Sequence, residues 1–131
     1  MNKKQYPGII ERIKAVAVDT FVILTLMIVF SFIFSNLENL PNKFRIVAFV
    51  FIFYLYDPIF TSLFGGTIGH LLIGLRVRKE IDTNKKILFH FALIRFTIKS
   101  LLGMISLFTV MGNEKRKAIH DFASGSVVIK Y

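Results

Sequence analysis

The sequence predicts an all-α membrane protein: two transmembrane helices, a third hydrophobic segment that is re-entrant, interfacial or spanning, and a small cytoplasmic β-hairpin or sheet. Three observations carry this. The 131-residue chain is 54% hydrophobic, with 15 Phe and no Cys. It holds three long apolar runs, residues 15–35, 44–64 and 87–111. Its basic residues cluster beside those runs. A helix rises about 1.5 Å per residue, so about 20 residues cross a hydrocarbon core of about 30 Å. The length allows a single domain, residues 1–131.

The first run, Ala15–Ser35, reads AVAVDTFVILTLMIVFSFIFS and keeps one acid, Asp19. It is longer than the roughly 7–15 apolar residues of a secretory signal and ends in FIFSNLENLP with no small-residue cleavage pattern. A retained membrane helix is therefore expected. The second run, Phe44–Phe64, is broken only by Arg45, Asp57 and Pro58. The third, Ile87–Met111, carries His90, Arg95, Lys99 and a central Gly103.

Charge sets the orientation. Lys3, Lys4, Arg12 and Lys14 precede the first run, the loop RVRKEIDTNKK follows the second, and Lys115, Arg116 and Lys117 follow the third. The positive-inside rule puts all three groups in the cytoplasm. Three full crossings would place the last group outside. Two crossings and a third segment that enters and returns keep it inside. Halves of about 12 residues around Gly103 suit such a segment.

Between the second and third runs, GGTIGHLLIG supplies the glycines of tight turns or close backbone approach. LRVRK alternates with strand period, and the tail SVVIKY is β-branched. Pairing of residues 75–79 with 127–131 is expected. No internal repeat is visible in the residues themselves. Gly65 and Gly69 match the small-xxx-small spacing of helix dimers, a weak signal.

A charge inside a membrane helix costs roughly 2.5–3.5 kcal/mol on insertion scales, so it faces a partner or a water-filled cavity. Asp19 lies about 6 Å in from the cytoplasmic end of its run, Asp57 about 10 Å and Arg95 about 12 Å. Lys99 shares the Arg95 face at i+4. Asp19, Asp57, Arg95 and Lys99 thus form a candidate membrane-embedded cluster, with Asp19 paired to Arg95 or Lys99. Arg12 lies on the Asp19 face but about 10.5 Å away, which suggests snorkelling to headgroups. Asp57-Pro58 also fits a helix restart after a kink.

Several classes are not expected. The formal net charge of +9 sits beside apolar runs, which reports topology and anionic lipid more than nucleic acid. His70, His90 and His120 lack metal-ligand spacing, so no metal or cofactor is expected. IHDF with Ser124 makes no catalytic triad, since His120 and Asp121 are sequence neighbours. The chain is not expected to be an enzyme.

The pattern resembles the RDD family of bacterial membrane proteins. Arg12 and Asp19 in ERIKAVAVDTFVI fit the family's first-helix arginine and aspartate. Gly66, Thr67 and Gly69 in GGTIGHLLIGLRV look like its Gly-x-Thr-x-Gly-Lys block. Arg95 in ALIR resembles its third-segment arginine. His120 and Asp121 in KAIHDFASGSVVI are similar to its closing His-Asp block. The likeness covers roughly residues 7–131. His70 stands where the family usually has Lys, and Ile68 where it often has Pro. The family's further aspartate has two candidates here, Asp57 by membrane depth and Asp121 by the closing motif.

The resemblance implies a bacterial inner-membrane protein, with transport of an unidentified ligand or cation/proton exchange suggested. Two or three helices cannot enclose a pathway alone, so a homo-oligomer or a larger membrane partner is expected, with the lipid bilayer as surroundings. The rival expectation is an accessory or scaffold subunit whose ion-pair cluster is structural.

Overall fold

The computed structural model describes residues 5–131, so Lys3 and Lys4 of the basic arm lie outside the described residues. Helix α1 runs Ile9–Ser35 and starts earlier than the apolar run. Glu11 explains the early start: its Oε2 accepts the Gly8 N–H at 3.1 Å, meeting one of the donors that a helix start leaves open. The helix is inside out by the standard of a soluble protein. Its buried residues are Arg12, Ala15 and Asp19, whereas Phe21 and Phe32 are 73% and 71% exposed. Such an arrangement is stable only where the apolar face meets lipid.

After a short turn, Arg45 donates to the Phe34 carbonyl at 3.1 Å and so satisfies the end of α1. The return helix is α2 (Asn42–Val50), a π-helical segment at Phe51–Leu55, and α3 (Tyr56–Phe64). Pro58 accounts for the irregularity. It has no N–H for the carbonyl four residues back, and the chain meets the break by widening one turn just before it. The widened turn sets Tyr56 and Asp57 on the inward face, where both are buried.

Helix α4 (Ile68–Ile73) and strand β1 (Leu75–Lys79) follow. The third apolar segment is α5 (Phe89–Leu102) continued by a 3-10 helix at Gly103–Gly112. The bend falls at Gly103, whose φ of +55° favours glycine. Both ends of this segment meet the same sheet. Ile87, just before it, packs with Leu75, Val77 and Val128. Lys117, just after it, bonds to Glu80, which follows β1. The turn at Gly103 lies beside Val16, and Val110 packs near Ile9, so the returning arm runs alongside only the start of α1. Among the described residues three helices are long and apolar enough to cross a membrane, and the third is bent at Gly103 with both of its ends at the sheet.

Helix α6 (Ile119–Ser124) and strand β2 (Ser126–Lys130) close the chain. The strands pair antiparallel, with Leu75 opposite Lys130, Val77 opposite Val128 and Lys79 opposite Ser126. The pairing expected from the sequence is present, one residue earlier on β2.

The structure also shows a repeat that the residues conceal. Each strand is preceded by a six-residue helix and a left-handed glycine, Gly74 at φ +87° and Gly125 at φ +60°. Ile68 corresponds to Ile119, Gly74 to Gly125 and Leu75 to Ser126. The hydrogen bonds correspond too: Tyr131 N–H donates to Gly74 O at 2.7 Å, and Glu80 N–H to Gly125 O at 3.1 Å. A local two-fold axis therefore passes between Val77 and Val128. Helix α1 breaks that symmetry by crossing both copies with different side chains.

Candidate functional site: a buried charge network under the sheet

Among the described residues, Asp19 does not pair with a cation. Its Oδ1 accepts the Tyr56 hydroxyl at 2.9 Å and the Gly69 N–H at 2.8 Å, and its Oδ2 accepts the Thr67 hydroxyl at 2.6 Å. Depth had suggested Arg95 or Lys99, but the side chain points to the first turn of α4. Three neutral donors converging on one carboxylate stabilise its charge without a counter-ion. Gly69 makes the approach possible, because an added Cβ would run into the Ala15 carbonyl and lie 2.7 Å from the Asp19 carboxyl carbon. Gly69 therefore serves the packing of α4 on α1, whereas Gly65 caps α3 at φ +79° beside the Arg78 guanidinium.

Thr67 ties this cradle to His70. The Thr67 oxygen lies 2.7 Å from His70 Nδ1. The Thr67 backbone N–H donates to the same nitrogen at 3.4 Å, which closes the capping box at the start of α4. Burial, reinforced by the positive field of Arg95 and Lys99, holds His70 well below the ordinary histidine range, and the ring is neutral.

The second constellation is a chain of alternating charges. Arg12 reaches Asp121 at 2.8 Å, Asp121 meets Arg95 at 3.2 Å, Arg95 approaches Asp57 at 3.9 Å, and Asp57 meets Lys99 at 3.3 Å. Asp57, Arg95 and Lys99 come together as expected from depth and face. Arg12 does not snorkel: it is 3% exposed and also donates to the Arg116 carbonyl at 2.7 Å. Arg116 adopts φ +47°, a conformation costly for a residue with a side chain, and that twist turns its carbonyl onto Arg12.

Asp121 is the hub, joining α1, α5 and α6. Its Oδ2 also accepts the Ala118 N–H at 3.0 Å. Burial opposes its ionisation, but Arg12 and Arg95 outweigh burial and hold the carboxyl below the usual range. His120 beside it hydrogen-bonds Ser106 at 2.6 Å. Burial, then Arg95, pushes His120 down to about 3, so it is neutral. Nη1 of Arg95 and Nε of Arg12 have no hydrogen-bond partner among the described residues.

Of the residues singled out from sequence, Gly66 lies against His70 and lets Thr67 reach its capping position. Tyr56, Thr61 and Ser106 were not anticipated. Thr61 donates to Asp57 at 3.2 Å, and its i+4 spacing from Asp57 was the available signal. Tyr56 and Ser106 offered none, because their partners lie on other segments.

Apolar helices that present lipid-facing surface and enclose a charged interior define an α-helical integral membrane protein. The family comparison agrees: residues 6–125 match the RDD family, and the chain belongs to it. No curated protein and no solved structure shows significant similarity to the chain.

Proposed function

We propose that this protein is a transport subunit of the bacterial inner membrane that exchanges a cation for a proton at Asp57. One observation carries the reading. Lys99 is the most accessible member of the buried network, with 20% of its side chain exposed, and it lines a cavity. Its partner Asp57 is otherwise sealed. A proton or small cation arriving at Asp57 competes with the Lys99 ammonium for the carboxylate, which couples the two species at one site. Arg95 stays with Asp121 throughout and keeps the site folded. Two membrane helices and a folded-back segment do not enclose a path, so the working unit is an oligomer or a complex with a larger partner.

The test is flux in reconstituted vesicles under a pH gradient. Wild-type protein is expected to exchange Na⁺ or K⁺ for H⁺, and Asp57→Asn to abolish exchange while still inserting and assembling, though with a lower melting temperature. Vesicles tight to all three ions would remove the exchange reading. A scaffold role gains support from another feature: all three buried carboxylates are satisfied by protein donors that join separate segments. Under that reading neither protein carries flux.

Orientation belongs to the same proposal. The N-terminal end of α1, the loop after β1 and the β2 tail gather at one sheet, which we place in the cytoplasm. A reporter active only in the periplasm should be silent when fused after Tyr131 or inserted at Thr83. The same reporter inserted at Glu38 should be active. Activity after Tyr131 would reverse the assignment.

A further inference from the structure

We propose that the cavity between α1, α5 and the 3-10 helix binds an anionic phospholipid, its headgroup on Lys99 and one acyl chain along Phe96, Met104 and Leu107. The cavity holds about 240 Å³ and is also lined by Val16, Ser100 and Gly103. Three observations select this occupant. The first is charge. The connected network Arg12–Asp121–Arg95–Asp57–Lys99 has three cations and two carboxylates, and Asp19 stands apart with neutral donors. One positive charge is uncompensated, and Lys99 is the accessible end. The second is hydrogen bonding. An ammonium has three donors, and among the described residues Lys99 makes one hydrogen bond, to Asp57 Oδ2. A phosphate is a natural acceptor for the rest.

The third is depth. Counting about 20 residues back from Ser35 puts the hydrocarbon boundary near Val16, which lines the cavity. Lys99 lines the same cavity one turn before Gly103 and so lies near that boundary. Around it, Leu101, Met104, Ile105 and Phe108 are exposed, as expected for a folded-back segment lying in one leaflet. The site shares Lys99 with the proposed exchange at Asp57 but does not depend on it. A bound phosphate that draws Lys99 away would loosen its hold on Asp57.

The test is binding, not flux. Purified protein in mild detergent is mixed with phosphatidylglycerol, phosphatidylcholine of the same chains, or glycerol phosphate. Bound lipid is counted by native mass spectrometry. Phosphatidylglycerol should be retained in preference to phosphatidylcholine, and glycerol phosphate should not bind. Lys99→Gln should weaken phosphatidylglycerol about fivefold, the loss of one cation near a lipid surface. Val16→Phe, which fills the cavity and leaves Lys99 in place, should weaken it as well. Equal retention of the two lipids by wild-type protein overturns the proposal. So does binding of glycerol phosphate alone, which would make the site one for free phosphate.

Discussion

Replacing Asp121 by Asn should lower stability by about 3–5 kcal/mol, the cost of removing one partner from a buried charge pair. The effect falls at the top of that range because one carboxylate serves two arginines. Arg12 and Arg95 are 3% and 1% exposed, and neither has a second carboxylate within 3.5 Å. Asn keeps a single acceptor oxygen, which can answer one guanidinium or the Ala118 N–H but not all three. Thermal melting in mild detergent measures the loss. Adding Arg12→Gln to Asp121→Asn should return part of it, since a stranded charge is then removed. An Asp121→Asn protein that melts with wild type would show that the network does not hold the fold.

Asp19→Asn should cost on the order of 3 kcal/mol, although it keeps size and shape. Three donors converge on the carboxylate, from Tyr56, Thr67 and Gly69. An amide turns an N–H group toward at least one of them, and each buried donor left unmet costs about 1–3 kcal/mol. The same geometry makes Asp19→Ala and Arg95→Ala close to additive, because the two side chains share no partner. Depth along the helices suggested the opposite, a direct pair whose double mutant recovers stability. Melting the two single variants and the double variant separates these outcomes. Strong coupling between positions 19 and 95 would return Asp19 to the ion-pair network.

The expected fold survived in its main lines because each part rests on a local rule. Run length set the helices, and Gly103 set the bend that folds the third segment back. Alternation in LRVRK and β-branching in SVVIKY set the sheet. The helix–glycine–strand repeat was not legible in this way. Its two copies agree at Ile68 and Ile119, Gly74 and Gly125, Val77 and Val128, and Lys79 and Lys130, with different residues between. What they share is backbone geometry, which many side chains satisfy.

The sequence by itself determined that the chain is a membrane protein with two long apolar helices, a third hydrophobic segment, a small sheet, and buried charges that need polar partners. Tertiary structure alone decided who pairs with whom. Residue spacing reports depth along a helix axis and the face a side chain occupies, so it brought Asp57, Arg95 and Lys99 together. It does not report how a helix is rotated toward its neighbours, nor where a short non-membrane helix docks. Helix α4 and its cap brought Thr67 and Gly69 to Asp19 beside Tyr56 of α3, and α6 brought Asp121 between Arg12 and Arg95. Both docking helices lie outside the long apolar runs, where hydrophobic length carries no information. In a low-dielectric interior the carboxylate goes to whichever donors arrive within hydrogen-bonding distance, and the fold, not the spacing, selects them.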